Sequence, residues 1–170
     1  MPDTIDMIVE DGSIVDGANS YVTIAEARKF ALSRSGALPE DDEGLKANLI
    51  NATDYVDTFY PRFGGRRVDS DQPLQFPRSN LFIFGGRYPN DKIPKQVKDA
   101  VCQLAIDIQT TGPLQTESST YALKRTKIEG LEQEFAVGST AKVAPTKQHQ
   151  KALGFLTPLF SYAPGDLLIR

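Results

Sequence analysis

The 170 residues are 40% hydrophobic and 24% charged, an ordinary globular balance with enough chain for one domain and a core. A net charge of only −3 excludes a molecule that binds nucleic acid over its whole surface, and a single cysteine excludes an intramolecular disulfide and a cysteine zinc cluster. No apolar run approaches the ~20 residues of a membrane span, and the start, MPDTIDMIVEDG, lacks the basic flank and apolar stretch of a secretory signal. A protein that is cytosolic, or at least assembled in a cytosol, is expected.

The first twenty residues carry two Asp-Gly turn signals, at Asp11 and Asp16. Short strands at 7–9 and 13–15, or an ordered loop, fit equally. Thr23 followed by Glu26 is a capping box, and Ile24, Ala27, Phe30 and Ala31 recur at helical spacing, so a first helix starts here and stops near Gly36. A second helix follows Pro39 and the acids Glu40 to Glu43, which suit the positive end of a helix dipole. These four acids lack the spacing of a calcium loop. Leu45, Leu49, Ala52, Val56 and Phe59 form its apolar stripe, and Pro61 ends it. The strongest helix opens at Pro94, shows Val97, Val101, Leu104, Ala105 and Ile108 on one face, and ends at Gly112. Cys102 lies on this apolar helix and reads as a small core residue.

Between the second and third helices stands GRRVDSDQPLQFPRSNLFIFGGRYPNDKIP, residues 65–94. Loops of this length are uncommon inside a compact domain. LFIFGGRY reads as a small hairpin turning at Gly85-Gly86, whereas QPLQFPR is too proline-broken for a central strand. Beyond the third helix, alternation around Glu129-Gly130 predicts a polar β-hairpin, which is barely stable alone and needs a partner. TKQHQKALGFLTPLF then gives a short helix, and an extended tail ends on Leu167, Leu168 and Ile169. Such an apolar tail must dock on its own core or on a neighbour.

The expected fold is mainly α: a small bundle of three main helices plus a short C-terminal helix, with a β-hairpin and an extended C-terminal tail. Residues 1–112 form the helical core with the loop and hairpin inserted at 61–93. Residues 113–170 are the β-hairpin, short helix and tail arm of the same domain.

No catalytic constellation can be assembled. His149, the only histidine, sits among Lys147, Gln148, Gln150 and Lys151 on what reads as an exposed helix, with nothing to place it near Cys102. FGGRRV and FGGRYP match no phosphate-binding loop. Asp54, Asp57, Asp69, Asp71 and Asp91 offer carboxylates, but nothing singles out a pair. The chain therefore reads as non-enzymatic, with no cofactor and no metal.

Binding or assembly remains. Charge is uneven: residues 1–60 carry 12 acids and 4 bases, residues 61–98 carry 3 and 8, and residues 99–170 carry 7 of each. The basic segment either meets the acidic third within the molecule or faces an acidic partner. Its Arg66, Arg67, Arg78 and Arg87 alternate with Phe63, Phe76, Phe82, Phe84 and Tyr88. That composition suits a protein interface, or single-stranded nucleic acid held by phosphate pairing and stacking. It also suits a small aromatic core under a solvated arginine rim.

GANSYVTIAEA, LINATDYVDTFY, GRR…DQPLQFPR and IPKQVKDAVCQLA occur in this order. As a set they resemble the tailed-phage head–tail connector (adaptor) proteins, a family whose members are also described as DnaT-like single-stranded DNA-binding proteins. The likeness covers roughly residues 8–112 well and the rest loosely. It departs at Phe76, where the family carries Trp. The resemblance implies a helical subunit of the virion neck, assembled in the host cytoplasm into a homo-oligomeric ring, usually twelvefold, beneath the portal protein. The ring joins the portal to the next neck or tail protein and passes DNA through its lumen. Under this reading the partner-facing residues are Arg66, Arg67, Phe76, Arg78, Arg87, Leu167, Leu168 and Ile169. The other description, binding of single-stranded DNA, belongs to a different function class.

Overall fold

A computed structural model describes residues 4–112, 114 and 149–161, together with the backbone of 124–128 and 131–135. The chain divides into two units, Met1–Leu114 with Gln148–Arg170, and Gln115–Lys147. The architecture is mainly α. Helices α1 (Ile24–Ser33), α2 (Asp42–Asp57), α3 (Lys95–Thr111) and α4 (Gln150–Leu156) all belong to the first unit.

The helix boundaries follow local chemistry. Thr23 Oγ1 accepts the Glu26 N–H and the Glu26 carboxylate accepts the Thr23 N–H, so both arms of the capping box are made. Asp41 caps α2 by accepting the Gly44 N–H at 2.6 Å. Pro94 stands just before α3, where a missing N–H carries no penalty. Gly112, at φ +92°, ends α3, a conformation that favours glycine.

Helix α3 is the core element. Its expected apolar face is buried except for half-buried Ile108, and Ala100, Cys102, Gln103 and Ile106 are buried as well. It is covered on several sides because α1, α2 and α4 all pack on it. Burial pushes the Cys102 thiol up to about 12, so it stays protonated and unreactive at neutral pH.

Helix α4 corrects one expectation. His149, at its start, does not lie on an exposed helix: its side chain is 13% exposed. Its Nδ1 is 3.2 Å from Asp107 Oδ2 on α3, and its ring meets Tyr55 of α2 edge-on at 5.8 Å. The flanking Gln150 and Lys151 are the exposed residues. The helix start faces inward because His149 shares a face with the buried Ala152 and Leu156, three and seven residues on.

Of the two readings of the N-terminal segment, the ordered loop is the one formed, with one parallel bridge, Val9 to Ser20. Glu10, 1% exposed, organises it by accepting the N–H groups of Gly12, Ile14 and Val15.

The 61–93 insertion contains two antiparallel ribbons. Strands β1 (Arg66–Arg67) and β2 (Arg78–Ser79) pair first, then β3 (Phe82–Ile83) and β4 (Gly86–Arg87). The segment after α4 closes over this region: Gly64 N–H donates to Leu159 O and Ser161 N–H to Arg62 O, both at 2.8 Å, with the Phe63 and Phe160 rings stacked at 5.7 Å. In the second unit, β5 (Lys124–Ile128) and β6 (Leu131–Phe135) form the expected hairpin in the register Lys124 to Phe135 through Ile128 to Leu131. The apolar tail, with Leu167, Leu168 and Ile169, lies outside the described residues. Among the described residues, no helix is long and apolar enough to cross a membrane.

Candidate nucleic-acid interface

The insertion is held by buried polar side chains. Gln72, 3% exposed, accepts the N–H groups of Val68 and Asp69 through Oε1, and donates through Nε2 to Leu74 O at 2.7 Å and Pro77 O at 3.1 Å. Arg67 closes the same turn from outside, donating to Gln72 O at 3.1 Å and to Ser70 O. Arg78 is 7% exposed. It donates to Gly64 O at 2.8 Å, to Gly65 O at 3.0 Å and, more weakly, to Gln75. Its guanidinium also lies 5.9 Å from the Phe63 ring centroid and 5.8 Å from that of Phe76. A buried cation is tolerated here because carbonyl oxygens surround a rigid donor fork.

Phe76 is fully buried, edge-on to Phe63 at 4.9 Å and to Tyr21 at 6.1 Å. Its peptide bond to Pro77 is cis. Behind it, Tyr21 Oη donates to Asp57 Oδ1 at 2.7 Å and accepts the Phe76 N–H, while Asp57 Oδ2 accepts the Gln75 N–H. Four polar groups from three segments satisfy one another in a buried place, which pins the loop to α2. Burial, partly offset by the Tyr21 and Gln75 hydrogen bonds, pushes the Asp57 carboxyl up to about 6. The protonated acid therefore favours the folded state. Its contribution is complete below the ordinary value of 3.8 and disappears as pH rises through about 6. We expect the stability difference between the wild type and Asp57→Asn to shift by up to about 3 kcal/mol, in the wild type's disfavour, between pH 4 and pH 7. Urea titrations at both pH values check this; parallel profiles contradict it.

The outward side of the insertion is different. Directly paired residues share a face of a ribbon, so Phe82 stands beside Arg87, while Ile83 turns into the core. Phe82 is 59% exposed and Phe84, at the tip, 84% exposed. The turn is displaced by one residue from the expected Gly85-Gly86. Phe84 and Gly85 are its central pair, at φ +51° and +81°, the positive values that a two-residue hairpin loop demands. A phenylalanine in this left-handed conformation costs roughly 1–2 kcal/mol, and its side chain here lies mostly in solvent. Arg87, exposed, donates to Asn80 Oδ1 at 3.2 Å. Arg66, also exposed, pairs with Ser79, next to Asn80 in the chain.

A family model described as "Putative DnaT-like ssDNA binding protein" matches residues 5–166. The chain belongs to this family. No curated protein and no solved structure matches it.

The structure sorts the arginines and aromatics anticipated for this DnaT-like chain into two groups. Phe76 and Arg78 are internal, and this corrects their assignment as partner-facing: each already has its partners within the fold. Arg67 is half-buried and committed to its own turn. Arg66 and Arg87 remain on the surface and gain the company of Phe82 and Phe84. These two phenylalanines were visible as aromatics interleaved with arginine, but nothing local distinguished them from Phe63 and Phe76.

Proposed function

We propose that the protein binds single-stranded DNA along the outward face of the β3–β4 hairpin. Phe82 and Phe84 stack on bases, and Arg66 and Arg87 pair with phosphates. The observation that carries this reading is Phe84, a large aromatic held exposed at a turn position that disfavours it, at the tip of the ribbon on which exposed Phe82 pairs with exposed Arg87. Backbone strain of this kind concentrates at functional sites, and aromatic stacking with arginine pairing is how single strands are held. Family membership supports the same reading. In a titration of a fluorescent oligothymidylate at 50 and 200 mM salt, we expect binding that weakens with salt on a slope of about −0.7 per phosphate contact. No binding at 50 mM contradicts the proposal.

A second reading rests on charge. The exposed acids Glu40, Asp41 and Asp42 at the start of α2 complement the exposed Arg66 and Arg87. A closed ring of identical copies joins two unlike patches in this way. Under that reading the protein is the ring connector of a virion neck, with the portal and the next neck or tail protein as partners. Mass photometry discriminates: a connector is monomeric alone and forms rings when portal protein is added, whereas an unchanged monomer contradicts the ring.

A further inference from the structure

The segment that leads into the hairpin, residues 62–67, lies between two neighbours. On one edge Phe63 bridges antiparallel to Phe160, with Gly64 N–H donating to Leu159 O and Ser161 N–H to Arg62 O, both at 2.8 Å. On the other edge Arg66 pairs with Ser79 and Arg67 with Arg78. The inward side chains are fixed on both edges: Phe63 is 3% exposed and Arg78 7%. Arg67 shares the face of its partner Arg78, so Arg66, its neighbour on the strand, stands on the opposite, outer face. Arg62 is exposed as well. Its guanidinium lies 5.8 Å from the centroid of the Phe59 ring, which in turn meets Phe160 at 6.2 Å. Between the two arginines, Phe63 is turned in, and Gly64 and Gly65 carry no side chain. Gly65 is exposed, at φ +67°, and sits so close to the neighbouring strand that a Cβ there would lie 2.3 Å from Ser79 O. The result is a strip of bare backbone with a cation at each end. Among the described residues, no acid forms an ion pair with Arg62, Arg66 or Arg87.

This inference rests on the single-strand reading and extends it. We infer that the strand held at Phe82, Phe84 and Arg87 runs on past Arg66 and over the glycine strip, and that Arg62 is its third phosphate contact. Glycine lets a ligand approach the backbone closely, so nothing holds the strand off between the two cations. Four positions separate Arg62 from Arg66, at most about 14 Å of chain, which spans about four phosphates at the roughly 3.4 Å spacing of a stacked strand. The extension adds length and affinity and no base preference, because phosphate contacts carry no sequence information.

The test uses the full chain and fluorescent oligothymidylates of four and ten residues, titrated at 50, 100 and 200 mM salt. The four-residue strand is occupied by the hairpin, whereas the ten-residue strand also reaches Arg62. We expect Arg62→Ala to weaken binding of the longer strand and to lower its salt slope by about 0.7, the value of one phosphate contact, with the affinity of the shorter strand unchanged. Arg62→Lys keeps the charge and should keep the wild-type slope, which separates phosphate pairing from loss of the Phe59 contact. An unchanged slope for Arg62→Ala on the longer strand, or equal losses on both lengths, overturns the inference. If Arg66→Ala lowers the slope and Arg62→Ala does not, the hairpin function stands without the extension. If the wild type binds neither length at 50 mM salt, the single-strand function fails and the extension with it.

Discussion

Replacing Phe84 with Asn should weaken single-strand binding by about tenfold or more while leaving the melting temperature unchanged or raised. Truncating a stacking aromatic removes about 1–3 kcal/mol per base, a factor of roughly five to more than one hundred. The fold gains in the same step. Phe84 sits at φ +51° with its side chain 84% exposed, and Asn tolerates this region better than Phe. Loss of binding with no loss of stability distinguishes a functional side chain from a structural one. Phe82→Ala, at the paired position beside Arg87, should add a loss of similar size. Arg66→Ala with Arg87→Ala should instead reduce the salt slope by about 1.4, the value for two phosphate contacts. Binding by Phe84→Asn equal to wild type contradicts the stacking assignment.

Phe76→Ala should produce the largest stability loss, about 3–5 kcal/mol, or roughly 10–20 °C in melting temperature. Phe76 is 0% exposed and its ring meets two other aromatics edge-on. Truncation leaves a cavity under the guanidinium of Arg78, whose carbonyl cage depends on the same wall. It also loosens the Gln75–Phe76 backbone that Tyr21 and Asp57 hold. A residue that merely faced a partner would give a change near zero in the free protein. Calorimetry decides between the two.

How much of this was legible in the sequence follows from the range of the interactions. The capping box of Thr23 and Glu26, the acidic start of α2 and the apolar face of α3 are local, decided within a few residues, and the helices formed where those signals stood. The β3–β4 hairpin was equally local, although its turn moved by one residue because Ile83 must point into the core, and that leaves Phe84 in the turn. The interior of the insertion was not local. Arg78 is buried by carbonyls at Gly64 and Gly65, and Tyr21 meets Asp57 across 36 positions. An arginine is ordinarily exposed, so nothing near Arg78 announced its burial. His149 reads as a surface residue among Gln and Lys, until Asp107 comes within 3.2 Å from 42 positions away. Gln72 differs: its partners lie within five positions, but they are backbone groups brought together by the turn itself, which no side-chain pattern announces.

The loop between α2 and α3 is therefore one surface on a rigid support. Gln72, Arg67 and Arg78 use up the polar backbone beneath, which leaves Phe82, Phe84, Arg87 and Arg66 outward. The measurement that tests this most directly is photo-crosslinking of a single-stranded oligonucleotide to the full chain, with the modified peptides identified by mass spectrometry. Crosslinks are expected in residues 79–91, centred on Phe82 and Phe84 and lost in Phe84→Asn. Crosslinks confined to other segments, in a protein that binds the strand, would contradict it.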